Sequence, residues 1–313
     1  MYRWCREVRY IGIETYYYFN AFFSSRIGIT HAKRNPPLIV SLTTIPERLQ
    51  KVHLCIESLL WQSCKPDYLM LWVSIPEDKI PKKLARLKSR GLQIKFCKNI
   101  RSYRKIIYTL KENPKSIIVT ADDDIFYQKN WLKQLFDAYQ KEPQYIHCHR
   151  AHLMTKKPDG KLKNYKEWNF LSPGIQGPSL HLFSTGAAGV LYPPHSLSGE
   201  VFNEEVFMRL SPYHDDAWLK AMSLLKGTHY KKVAPFSQKL IRIRGMKSRR
   251  LTKINKDGKG DAQIQAVFEY YKVYDIIAVQ ISQKVEIAIV ILLSFWTSFY
   301  KFRNQVCHYN VLS

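Results

Sequence analysis

The chain has 313 residues, 46% of them hydrophobic, which is enough for one large α/β core, or a core with a small appended unit, and excludes a disordered chain. Its 49 Lys and Arg against 25 Asp and Glu leave a formal charge of +24, which draws it toward nucleic acid, anionic lipid or nucleotide phosphates without choosing among them. The six cysteines (Cys5, Cys55, Cys64, Cys97, Cys148 and Cys307) are scattered and lack a CxxC pair, which excludes a small disulfide scaffold and predicts free thiols in a reducing, cytosolic compartment.

Residues 1–35 are aromatic and basic without firm periodicity and read as an N-terminal extension closed by Asn35-Pro36-Pro37. Glu14 and Asn20 interrupt the stretch that a secretory signal would need, so none is expected. The main domain, 36–240, opens with an apolar run at 38–42 that predicts a buried strand, then a polar turn at 43–48 and a helix over 49–62. Strands are predicted at 68–74, 92–96 and 116–120, with helices at 82–90 and 103–112 between them. This alternation predicts an α/β fold with a mostly parallel sheet flanked by helices, whose sites lie at the carboxyl ends of strands. A helix over 131–141 and a strand at 145–150 follow. Beyond them the chain becomes rich in Gly, Pro and Ser until a helix opens at His214-Asp215-Asp216 and continues to residue 225. Residues 241–275 read as a basic loop and helix, and 276–313 as an apolar or amphipathic C-terminal segment. Within the last, residues 287–300 carry no charge. At about 1.5 Å per residue this run falls short of a hydrocarbon core roughly 30 Å thick, so it suits lying on a membrane, or packing in a core, better than spanning.

Asp122, Asp123 and Asp124 directly follow the apolar run 117–119. Three adjacent carboxylates repel one another and need a cation or donor to offset them. In an extended or turn conformation the first and third share a side, so Asp122 and Asp124 suit one hard divalent ion, Mn²⁺ or Mg²⁺, whose open positions take the phosphates of a nucleotide diphosphate. The bland alternative is an acid-rich helix N-terminus. Asp215 and Asp216 suit a base that takes a proton from an acceptor hydroxyl, with Asp215 slightly preferred, and equally suit helix capping. Arg242 and Arg244 begin a run with Lys247, Arg249, Arg250, Lys253 and Lys256 that suits a loop closing over pyrophosphate, a solvated face or a nucleic-acid contact. Arg48 and Lys105 fall just past strand ends, where they can seat a nucleotide. His147, His149 and His152 lack a defined fourth ligand for zinc and read better as packing or pocket-lining residues.

The motifs Val40-Ser41-Leu42-Thr43-Thr44-Ile45-Pro46-Glu47-Arg48, Thr120-Ala121-Asp122-Asp123-Asp124-Ile125-Phe126-Tyr127, Thr185-Gly186-Ala187-Ala188-Gly189-Val190-Leu191-Tyr192-Pro193-Pro194 and His214-Asp215-Asp216-Ala217-Trp218 resemble, in order, those of bacterial GT-A, family-2-like glycosyltransferases of surface-polysaccharide assembly. The resemblance spans roughly residues 36–230. It implies a nucleotide-sugar donor, usually a uridine diphosphate sugar, and a metal held by Asp122 and Asp124. It also implies inversion by direct displacement with Asp215 or Asp216 as base. Thr43, Thr44, Arg48, Lys105, Asp123, Arg242 and Arg244 are assigned to the donor, and Gly186, Ala187, Ala188 and Gly189 to a glycan or lipid-linked acceptor. The QxxRW motif of many family members is missing, which favours single-sugar addition over polymerisation. The expected address is the bacterial cytoplasm, peripheral to the anionic inner face of the membrane, with no specific nucleic acid as partner. The rival readings are a basic nucleic-acid-binding protein and a divalent-metal phosphohydrolase.

Overall fold

The computed structural model describes residues 2–159, 161–246 and 258–277, with side chains from residue 10 onward. The run at 287–300 and the basic residues Lys247, Arg249, Arg250, Lys253 and Lys256 lie outside the described residues.

Four strands carry the first half of the domain: β1 (Leu38–Thr43), β2 (Tyr68–Val73), β3 (Leu92–Phe96) and β4 (Ile117–Ala121). All four pair in parallel, in the order β4-β1-β2-β3. The apolar runs of β1, β2 and β4 are near-continuous because helices cover both faces of the sheet, whereas the edge strand β3 alternates apolar and polar residues. On one face, α2 (Val52–Leu60), α3 (Lys82–Ala85) and α5 (Trp131–Lys141) pack on Leu38, Val40, Leu42, Val119 and Ala121. On the other, α4 (Arg104–Glu112) is joined by α6 (Glu204–Leu210), α7 (Asp215–Lys226) and α8 (Lys259–Tyr270) around Ile118, Val190 and Tyr192.

The sheet reaches seven strands through β6 (Ile146–Cys148), β9 (Val190–Tyr192) and β10 (Tyr230–Lys232). β9 lies between β4 and β6 and runs antiparallel to both. The α/β class, the mostly parallel sheet and the flanking helices are those expected from the sequence. Two short ribbons complete the structure: β5 (Ile125–Phe126) with β11 (Ile241–Arg242), and β7 (Ala151–Leu153) with β8 (Leu182–Ser184).

The first 35 residues contain a 22-residue helix, α1 (Tyr2–Phe23), that periodicity did not disclose. Ile13, Tyr17 and Tyr18 pack against the core built around α2, and the Tyr17 ring stacks on Phe126 with centroids 5.1 Å apart. A buried ion pair fastens this corner. Arg90 donates to both carboxylate oxygens of Glu57, which is fully buried, and also to the carbonyls of Arg26 and Asn20. Asp67 plays a similar part at the start of β1, where its buried carboxylate accepts from the backbone N–H groups of Arg34 and Leu38.

Removing one partner of a buried ion pair leaves the other charge desolvated and alone. Glu57→Ala is therefore expected to cost about 3–5 kcal/mol, seen as a lowered midpoint in urea unfolding. A loss near zero would show that Arg90 is already solvated and that this corner does not depend on the pair.

Candidate active site

The chain leaves β4 as three carboxylates, and each meets its own cation. Asp122 Oδ1 accepts from the Lys105 ammonium at 2.9 Å. Asp123 takes the Thr44 hydroxyl at 2.6 Å on one oxygen and the Arg48 guanidinium at 2.5 Å on the other. Asp124 is held by Arg242, at 2.9 and 3.1 Å, with Arg48 at 4.0 Å. Arg242 reaches it because β11 pairs antiparallel with β5, and the Ile243 N–H returns a bond to the Asp124 carbonyl at 2.8 Å.

Lys105 joins this group to the second acid pair. Its Nζ lies 3.2 Å from Asp215 Oδ2, so one buried ammonium bridges the end of β4 and the start of α7. Burial alone would draw its pKa down, but Asp122, Asp215 and Asp216 overcome that and hold it well above the usual lysine range. Burial likewise opposes ionisation of Asp122, yet Lys105 brings that carboxyl below its ordinary value. Asp123 is raised to about 6, chiefly by burial. Asp216 is raised to about 8 by burial and by the neighbouring Asp215 charge.

The loop at 186–189 forms the facing wall. The Gly186 N–H donates to Asp216 Oδ1 at 3.0 Å, and a Cβ on Gly186 would come within 3.2 Å of both that oxygen and Lys105 Nζ. Gly189, at φ +101°, passes over Trp131 so closely that a Cβ would lie 2.5 Å from the indole, while the Trp131 ring N–H donates to the Ala188 carbonyl at 2.6 Å. The Ala187 carbonyl accepts from the Tyr127 hydroxyl at 3.2 Å.

Most of the residues expected from the sequence therefore converge: Thr44, Arg48, Lys105, Asp122, Asp123, Asp124, Asp215, Asp216, Arg242 and the loop from Gly186 to Gly189. Thr43 does not, because strand alternation turns its hydroxyl back to the Trp72 carbonyl at 2.8 Å. The Arg244 guanidinium lies over the Tyr10 ring of α1, and its carbonyl accepts from Lys51. The three histidines face backbone groups: His147 the Glu142 carbonyl, His149 the Trp131 carbonyl and His152 the Leu171 N–H.

Several contributors escaped sequence reasoning. Tyr127 accepts the Asp122 N–H at 2.7 Å, and the buried thiol of Cys55 donates to the Asp122 carbonyl at 3.3 Å. Arg104 clamps the turn after β1 by donating to the Thr44 carbonyl and the Ser74 hydroxyl. Arg150 lies among Tyr165, Arg242 and Asp216, with its Nε buried and without a hydrogen-bond partner. Only Tyr127 carried a signal, as the last residue of the triplet's own motif.

Among the described residues no three metal-ligating side chains gather around one point. Asp122, with its side chain 31% exposed and only Oδ1 engaged, and Asp124 are hard oxygen donors suited to Mg²⁺ or Mn²⁺. Sites with one or two carboxylates complete such ions with substrate phosphates and water, so the donor set fits a metal that arrives with a phosphorylated ligand.

No protein-family model matches the chain, and no curated protein matches it by sequence. Among solved structures it is similar to the mannosyltransferase PcManGT from Pyrobaculum calidifontis, in complex with GDP-Man and Mn²⁺. The identity is 10%, covering 90% of this chain and 85% of that one, with a TM-score of 0.40.

The unfolded chain carries Asp216 as an ordinary carboxyl, whereas the folded protein keeps its proton up to about pH 8. Stability contributed by this group is complete below the ordinary carboxyl range and is lost as pH rises toward 8. Asp216→Asn removes the slope, so the melting temperature of the variant relative to the parent is expected to be more favourable at pH 8 than at pH 5. Equal differences at the two pH values in thermal melts would show that Asp216 titrates as an ordinary carboxyl.

Proposed function

We infer that the protein is a metal-dependent glycosyltransferase that moves one sugar from a nucleotide-diphosphate donor to a hydroxyl of a glycan or lipid-linked acceptor. The observation that carries this reading is the bridge made by Lys105, which joins a carboxylate triplet ringed by cations to a second acid pair with one carboxyl near pKa 8. A diphosphate needs cations and a metal-ligating carboxylate pair. An acceptor hydroxyl needs a base close by. Both sets occur within one side chain's reach.

In this reading Asp122 and Asp124 would hold a Mn²⁺ or Mg²⁺ ion, whose charge would offset that of the diphosphate. Arg48 and Arg242 exchange their carboxylate partners for donor phosphates, and Arg150 offers a further guanidinium on the same side. Lys105 keeps Asp215 and Asp122 apart as charges while fixing both in position. The acceptor oxygen bonds to the anomeric carbon as its proton passes to the ionised form of Asp216, which becomes populated as pH approaches 8, and the bond from that carbon to the diphosphate oxygen breaks. A single displacement of this kind inverts the anomeric centre.

Asp216 is preferred over Asp215 as the base. It is the less buried of the two, its pKa is raised into the range useful to a general base, and Asp215 is engaged by Lys105. The small side chains of residues 186–189 leave the acceptor room to approach it. A uridine diphosphate sugar remains the preferred donor from the motif resemblance, and the cytoplasmic membrane face the preferred address.

Calorimetric titration with Mn²⁺ and a panel of uridine and guanosine nucleotide sugars tests the donor half. Asp124→Ala is expected to abolish metal-dependent binding while circular dichroism stays unchanged, and unaltered affinity would overturn the metal assignment. Asp216→Asn is expected to lower kcat by about 100-fold or more with little change in donor affinity. Full turnover in that variant would remove its role as base.

A further inference from the structure

Helix α1 presents two apolar faces, and the core uses only one. Opposite the packed side, Ile11, Phe19 and Phe22 are exposed by 53, 61 and 51%, and Tyr16 and Phe23 also lie open. Single exposed apolar side chains are ordinary, but five along one helix form a contiguous patch of the kind that marks an interaction surface.

The chemistry around the patch selects its partner. The Arg86 guanidinium donates to the Phe22 carbonyl at 3.0 Å, which places the basic segment of α3 and the following turn against the aromatic end of α1. Lys82, Arg86 and Lys88 are exposed there, with Glu77 beside Lys88 at 3.5 Å. Phenylalanine and tyrosine rings flanked by lysine and arginine fit the headgroup boundary of an anionic bilayer, where rings enter the acyl region and cations stay with the lipid phosphates. No described helix is long and apolar enough to cross a membrane, so α1 suits lying in the interface.

We propose that the exposed face of α1, with the basic flank of Lys82 and Arg86, docks the protein on an anionic phospholipid surface. The proposal concerns other residues than the run at 287–300 and does not depend on the glycosyltransferase reading. It has a geometric consequence. A cavity of about 410 Å³ lies beneath α1, lined by Gly12, Ile13, Tyr16 and Tyr17 on the helix and by Phe126 and Tyr127 across from it. Tyr127 is the residue that bonds to Asp122, so docking through α1 sets the bilayer on the same side of the molecule as this cavity and the acid triplet.

Co-sedimentation of the full chain with vesicles tests the proposal, comparing phosphatidylglycerol mixed with phosphatidylcholine against phosphatidylcholine alone. The parent is expected to bind the anionic vesicles. Phe19→Ser, Phe22→Ser and Phe23→Ser combined should weaken binding by about tenfold or more, with an unchanged melting temperature because these rings are already exposed. Lys82→Glu with Arg86→Glu, which leaves the rings intact, should weaken binding to anionic vesicles by about tenfold or more and flatten its salt dependence. Undiminished binding in both variants would overturn the proposal. So would a parent that ignores anionic vesicles, or one that sediments as a dimer in solution and becomes monomeric when the phenylalanines are replaced, which would make the face a contact between copies.

Discussion

One buried ammonium organises the centre of this protein. Lys105 sits between Asp122 at the end of β4 and Asp215 at the start of α7, two acids that the chain separates by most of a domain. Gathering five carboxylates in one region, with Asp123, Asp124 and Asp215 buried, is prohibitive unless cations go with them. Lys105 balances two of the five. Its position comes from α4, whose Ile106 and Ile107 are locked in the core while Thr109 bonds to Ser41 of β1 at 2.7 Å. The register of one helix against the sheet therefore decides whether the two acidic motifs meet.

The remaining cations come from less rigid places. Arg48 follows the turn after β1, and Arg242 lies on a two-residue ribbon strand whose partner is β5. A guanidinium at a ribbon or turn can change partners at small cost, whereas the buried lysine cannot. For the proposed reaction this difference matters. Donor phosphates would compete for Arg48 and Arg242, and the Asp124 carboxylate freed from Arg242 would be available, with Asp122, to hold a divalent ion. Lys105 keeps the base end of the site in place throughout. The pKa separation between Asp122, depressed by Lys105, and Asp216, raised by burial and by Asp215, follows from the same placement.

The legible parts of the fold were those where burial imposes a simple pattern. β1, β2 and β4 are apolar runs because both faces are covered, and the triplet's position after one of them followed directly. β9 was not legible as an antiparallel insertion, since Val190, Leu191 and Tyr192 give too short a run to reveal direction; Gly189 over Trp131 fixes its path. α1 was missed for the opposite reason. Its rings lie on both sides, so no single stripe emerges. Adjacent residues were also hard to tell apart: Thr43 and Thr44 read alike, yet strand alternation sends one to the sheet and the other to Asp123. Asp215 and Asp216 read alike as well until the Gly186 N–H and the Lys105 ammonium separate them.

The N-terminal helix changes how the site should be thought of. Its Tyr17 stacks on Phe126, two residues beyond Asp124, and Tyr10 lies against Arg244 near the start of the basic segment. Lys51, just ahead of α2, holds the Arg244 carbonyl, so the ribbon carrying Arg242 is tied to the layer on which α1 rests. A segment that reads as an extension thus packs beside the ribbon that carries Arg242. An aromatic helix packed this way cannot be displaced without disturbing the strand that follows the triplet. The exposed rings on its far side place any surface it meets in mechanical contact with the residues that hold the acids.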